Sequence, residues 1–186
     1  SRTRRIDFGG GITQLVGTGG RDLSEAVGGI MMLDGMRARA KDPATEVIVL
    51  VSKPPAKSVE KKVLGAVAEC GKPVVVCFLG GTQAPVTQAG GHFARTTKEA
   101  ALKAVILAGR NESEINKRAL NLPLIEEVRA RLGPQQKYIR ALMCGGTLCE
   151  ELSLIARETL PGVYSNIAKD PAQRLEDAGR SREHSF

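Results

Sequence analysis

Two uninterrupted runs of Val, Ile and Leu limit the folds open to this chain. EVIVLVS (46–52) and PVVVCFLG (73–80) are too short for core helices and show no polar alternation. Each reads as a strand covered on both faces. Between them Val59, Val63, Leu64 and Val67 recur at helical spacing, Ser58 stands where a cap belongs, and Gly71 ends the helix as a left-handed residue. Strand, helix and strand in that order make a parallel βαβ unit.

The alternation extends in both directions. ITQLV (12–16) reads as another buried strand, followed by the glycine-rich GTGGRDLS and a helical pattern to about Ala40. After the strand at 73–80, a loop leads to His92, and Thr96 or Thr97 caps the helix TTKEAALKAVIL. Residues 11–108 are therefore expected to form a three-layer α/β domain with a parallel sheet, flavodoxin-like in class. A full dinucleotide-binding fold is not indicated, because no GxGxxG is followed by an acid about 20 residues on.

Residues 109–137 change character: they are polar, helical in composition and interrupted by Pro123 and Pro134. They read as a connector between a first domain, 1–108, and a segment 138–186. There YIRALMC (138–144) reads as a buried strand and GGTLCEELSLIARETL as loop and helix, with Glu150 and Glu151 in the helix's first turn. Beyond Pro161-Gly162 the pattern is lost. One strand and one helix do not complete a core, so 138–186 reads as the incomplete start of a second, similar domain. The chain then reads as a fragment of a longer protein, or as a subunit that needs a partner.

Composition narrows the function classes. Hydrophobic residues at 42% and charged residues at 25% exclude wholesale disorder. No stretch approaches the roughly 20 apolar residues of a membrane helix, and no apolar core region follows the charged start, so a soluble, cytoplasmic protein is expected. The four cysteines, Cys70, Cys77, Cys144 and Cys149, form no CxxC pair or zinc spacing; they are expected to be reduced, with no metal site. The net charge of +7 is spread along the chain, and aromatics are only 3%, so stacking on nucleic acid is not expected. The positive balance suits small anionic partners such as phosphates and carboxylates.

Two glycine-rich turns lead into helices: Gly17-Thr18-Gly19-Gly20-Arg21-Asp22 and Gly145-Gly146-Thr147. Open amides at a helix N-terminus, helped by the dipole, bind anions, and glycine lets a ligand approach the backbone. The same glycines also serve as plain steric relief, and Asp22 and Thr147 also read as helix caps. His92, on a glycine-flanked loop after a buried strand, reads either as a surface histidine or as a nucleophile or acid/base. Lys53, before Pro54 and Pro55, projects near the same strand end and offers a charge to a bound anion, or is a solvated lysine on a rigid loop.

Taken together, GTGGRDLSEAVGGIMMLDGM, DPATEVIVLVSKPP, GKPVVVCFLGG, HFARTTKEAA and YIRALMCGGTLCEE resemble the FdrA family of acyl-CoA synthetase-like proteins, relatives of the succinyl-CoA synthetases. The resemblance runs over nearly the whole chain, with its blocks in family order. It implies a longer protein, with a CoA-binding-type Rossmann domain ahead of this chain and more of a second CoA-ligase-type domain after it. Residues 11–108 would match the synthetase α subunit, and those from Tyr138 onward the carboxyl domain of the β subunit, with no ATP-grasp counterpart. The relatives' Gly-x-Gly-Gly-Asp loop is similar to Gly17, Gly19, Gly20 and Asp22, with Arg21 inserted. Their phosphorylated histidine, in Gly-His-x-Gly-Ala, is similar to His92 in Gly91-His92-Phe93-Ala94, where the second glycine is absent.

The resemblance implies acyl-phosphate and thioester exchange, with His92 carrying phosphate between helix N-termini. CoA or a nucleotide would bind the full-length protein, and a homo-oligomer or partner subunits are expected. An alternative is a subunit of a carbamoyltransferase complex of oxamate or purine catabolism, its glycine loops holding carbamoyl phosphate. A third reading is a non-catalytic scaffold that keeps the fold without the site.

Overall fold

A computed structural model describes residues 9–115, 121–177 and 179–186. The chain divides into two compact units, Ser1–Asn116 and Lys117–Phe186.

In the first unit the two aliphatic runs form β1 (Ile48–Ser52) and β2 (Val74–Phe78), paired in parallel with Ile48 opposite Val74 and Ser52 opposite Phe78. A short third strand, β3 (His92–Phe93), runs parallel on the far side of β2, giving the order β1-β2-β3. The helices are α1 (Ile30–Lys41), α2 (Lys57–Ala68), α3 (Gln83–Gln88) and α4 (Thr97–Leu107).

The two-residue period of the strands distributes the core. Ile48, Leu50, Val74, Val76 and Phe78 join Met32 and Met36 of α1 and Val59, Val63 and Val67 of α2 in one apolar cluster. The alternate β2 residues, Val75 and Cys77, are fully buried toward the other face. There α4 packs on the sheet, and its buried Ala100, Ala101 and Ala104 permit a close approach. The unit is a three-layer α/β fold with a parallel sheet, as the alternation of strands and helices predicts.

Local chemistry explains the helix ends. Thr96 Oγ1 accepts from Glu99 N at 3.1 Å, and Glu99 Oε2 accepts from Arg95 N at 2.8 Å, a reciprocal cap on α4. Lys72 Nζ donates to the carbonyls of Arg39 and Asp42 at the end of α1, where a cation suits the dipole. Gly71 adopts φ 71° after α2, as expected.

Several expectations are corrected. Residues 12–16 form no strand: they have no ladder partner, and Leu15 and Val16 are 68% and 48% exposed. An apolar run becomes a strand only when a neighbouring edge takes its amides. The first helix starts at Ile30, not directly after the glycine turn, because Gly28 and Gly29 both sit at φ 78° and hold the chain in turns until then. Ser58 is not the cap of α2: Ala56 occupies that position, and Ser58 Oγ instead donates to Glu25 Oε1 at 3.1 Å.

The second unit contains α5 (Leu122–Arg131), α6 (Gly146–Arg157) and a two-stranded parallel sheet, β4 (Val163–Tyr164) with β5 (His184–Ser185). Its core gathers Cys149, Ala156, Val163 and Phe186. Residues 138–144 are not a buried strand. Only Arg140 bridges to Ser185, and Tyr138, Ile139, Leu142 and Met143 are exposed. The tail, patternless in sequence, supplies the edge they touch: Ala141 N donates to Ser185 O and Ser185 N to Ile139 O, both at 3.0 Å. Glu150 and Glu151 fall beyond the first turn of α6, which starts at Gly146.

Candidate functional site

The carboxyl ends of β1 and β2 lead into Lys53–Pro55 and Leu79–Thr82, and loops at this end of a parallel sheet are the usual ligand positions. Pro54 and Pro55 carry no amide hydrogen, and Ala56 offers no side-chain acceptor, so α2 begins without a side-chain cap. The free donors of this first turn belong to Lys57 and Ser58, since Val59 N and Glu60 N already bond to Ala56 O.

The first glycine turn is fastened to this corner. Ala56 N donates to Leu23 O at 3.0 Å, next to the Ser58–Glu25 bond. A Cβ on Gly29 would lie 2.9 Å from Val59 Cγ1, so glycine is what lets the turn sit against α2. Gly17, Gly19 and Gly20 face open space, and Gly19 adopts φ 83°. Tertiary packing thus holds Leu23 and Glu25, just after the glycines of the turn, against the start of α2, which follows Lys53 in the chain; Lys53 is partly buried and Lys57 exposed.

Asp22 has a different role from the one expected of an anion site. Its carboxylate is 4% exposed and accepts from Met31 N and Met32 N at 2.9 Å each. It is itself the anion at the start of α1, so the helix following the first glycine turn offers no open N-terminus to a ligand. The open amides at this corner are those of α2 instead. Sequence reasoning missed them, although Pro-Pro-Ala before a helix, with no Ser, Thr, Asp or Asn at the cap, was the available signal.

His92 lies elsewhere. It opens β3 at the amino end of the parallel sheet, opposite Val75, and is exposed. Ser52, just before Lys53, pairs with Phe78, three residues further along β2, or roughly 10 Å along the strand axis. The expectation that Lys53 and His92 share one strand end is therefore corrected: α3 returns the chain to the amino end, as parallel pairing requires. The glycines before His92 serve packing. Gly90 adopts φ 75°, and a Cβ on Gly91 would lie 3.1 Å from both Val67 and Val86.

Gly145, Gly146 and Thr147 belong to the second unit. Gly145 is the cap residue of α6 at φ −129°, ordinary extended backbone, and no side chain caps the helix; Thr147 stands inside it and is not its cap. His184, in the tail, is buried, accepts Ile139 N at Nδ1 (3.1 Å) and packs edge-on against Tyr138. Its role is structural. All four cysteines are free thiols, and no cluster of three metal-ligating side chains occurs among the described residues. No helix among them is long and apolar enough to cross a membrane.

The corner gathers lysine charge, the unpaired amides of Lys57 and Ser58, and an open glycine turn. The chain is 57% identical over 180 residues to YahF of Escherichia coli, itself uncharacterised; the match covers 97% of this chain and 35% of that protein. The chain thus spans about a third of its relative's length. Residues 3–80, which include the glycine turn, Lys53 and the start of α2, match the CoA binding domain family.

Proposed function

We propose that this chain is the CoA-binding portion of an acyl-CoA synthetase-like protein of the FdrA type. CoA would bind through its phosphates at the corner formed by residues 17–24, Lys53 and the first turn of α2. The observation that carries the reading is that the CoA-binding family match covers this corner while the described amides and lysine within it suit a phosphate. The residues fit the group: Lys57 N and Ser58 N would donate to phosphate oxygens, Lys53 would add charge, and the open turn would leave room for the rest of the molecule. CoA supplies the thiol that becomes the thioester; this chain's residues bind and orient it.

A second reading, a binding subunit without chemistry of its own, is favoured by one observation. The only carboxylate of the glycine turn, Asp22, is committed to α1, and His92 stands at the other end of the sheet.

Calorimetric titration of the chain with CoA tests the proposal. Lys53→Ala combined with Lys57→Ala is expected to weaken binding at least tenfold. Dephospho-CoA, phosphopantetheine and carbamoyl phosphate identify which phosphate is held. Absence of heat with CoA, or equal affinity for the double variant, would refute the assignment.

A further inference from the structure

In the second unit one side-chain bond that acid can undo helps to hold the segment before α6. His184 Nδ1 accepts the amide of Ile139 at 3.1 Å, and its ring, 7% exposed, meets Tyr138 edge-on at 5.5 Å between centroids. A ring nitrogen that accepts carries no proton, so this contact selects the neutral imidazole with its hydrogen on Nε2. Two backbone bonds complete the fastening: Ser185 N donates to Ile139 O and Ala141 N to Ser185 O, both at 3.0 Å. On the other edge of β5, His184 N donates to Gly162 O at 3.2 Å and Phe186 N to Tyr164 O at 3.0 Å. The two edges differ in kind. Main-chain bonds join β4 to β5, whereas the hold on 139–141 depends also on the protonation state of a side chain.

A proton on Nδ1 turns the acceptor into a donor and sets two N–H groups against each other. Among the described residues no carboxylate forms an ion pair with the ring that would hold its charge. Beside Tyr138 stands Arg140, its guanidinium 5.8 Å from that ring's centroid and donating to Arg182 O. Toward β4, Arg182 lies over the Tyr164 ring at 4.3 Å, and the Glu183 carboxylate lies against Gly162. The helix α6, packed on β4, brings the buried Cys149 and Glu151 and the half-buried Arg157. Ordinary carboxylates, thiols, phenols and guanidinium groups titrate outside the range from about pH 5.5 to 7.5, whereas imidazole titrates within it. We propose that His184 is a pH-sensitive latch: neutral, it ties 138–141 to the tail; protonated, it lets the segment go and bares that edge of β5. The closed form takes up no proton at Nδ1 and the released form takes one, so acidification favours release. For a released imidazole titrating near pH 6.5, going from about pH 7.5 to about pH 5.5 shifts the balance about tenfold.

Hydrogen exchange on the 186-residue chain, expressed as protection relative to the unstructured rate at each pH, tests the latch. Protection of the Ile139, Ala141 and Ser185 amides is expected to fall about tenfold between roughly pH 7.5 and 5.5, while that of the amides within α6 holds. In His184→Asn a side-chain amide oxygen, which takes no proton in this range, stands in for Nδ1, so protection should be equal at both pH values. Undiminished protection in wild type at the lower pH, or an equal fall in the Asn variant, would overturn the proposal. A second measurement is independent of how the variant folds. Nitrogen NMR of isotope-labelled wild type, with His92→Ala assigning the 2 histidines, is expected to show His184 carrying its hydrogen on Nε2 at about pH 7.5. A hydrogen on Nδ1 at that pH would equally overturn the proposal.

Discussion

Asp22 ties the first glycine turn to α1. Its buried carboxylate accepts two amides of α1, Met31 N and Met32 N, while its own carbonyl accepts Gly29 N at 2.8 Å. Replacing it with Ala leaves both amides without their acceptor. Met31 is exposed, so water can serve its amide, whereas Met32 is buried and its amide bears the full desolvation cost. At about 1–3 kcal/mol for an unsatisfied buried group, plus the lost charge–dipole term, Asp22→Ala is expected to cost about 3 kcal/mol. Asp22→Asn keeps one acceptor and is expected to cost about half of that.

The assay is urea unfolding at neutral pH followed by circular dichroism. With a slope of about 2 kcal/mol/M, the Ala variant's midpoint should fall by roughly 1.5 M. The chain's 2 tyrosines, Tyr138 and Tyr164, both lie in the second unit, so tyrosine fluorescence follows that unit separately and its midpoint should stay in place. A loss below about 1 kcal/mol, or equal losses for Asn and Ala, would refute the capping role.

Gly29→Ala is expected to cost roughly 2–4 kcal/mol, from the left-handed backbone and the 2.9 Å approach to Val59. Gly28→Ala meets only the end of the Lys62 side chain at 3.6 Å and should cost about 1–2 kcal/mol; a thermal melt of each ranks them. Burial works against the Glu99 carboxylate, but the Lys103 and Arg95 hydrogen bonds outweigh it and hold its pKa below the usual value. A pKa lowered on folding adds stability above the unfolded value and loses it as pH falls through the folded one. Denaturation of wild type and Glu99→Gln should therefore differ at neutral pH and converge on acidification below about pH 4. His92→Ala, at an exposed edge position, should change stability by less than about 0.5 kcal/mol and leave CoA titration unaltered. If incubation with labelled nucleotide or with succinyl-CoA plus phosphate labels wild type but not this variant, the histidine returns to the mechanism.

The strands β1 and β2, the helix between them, the Gly71 stop and the Thr96 cap were all legible in the residues. Each rests on short-range patterns: unbroken aliphatic runs, helical spacing, and a hydroxyl or glycine at a fixed offset. Residues 12–16 and 138–144 are also rich in apolar residues and yet are not strands, because strand formation depends on a neighbouring edge that no local pattern encodes. Asp22 was visible as a cap, but not as one reaching nine and ten residues ahead across the Gly28-Gly29 turn. The spatial grouping of the candidate site was a tertiary outcome. Fastening Leu23 to Ala56 joined the glycine turn to the start of α2, while the parallel return through α3 carried His92 to the opposite end of the sheet. Residue type and spacing determine what each segment can do; the pairing of distant backbones decides which segments meet.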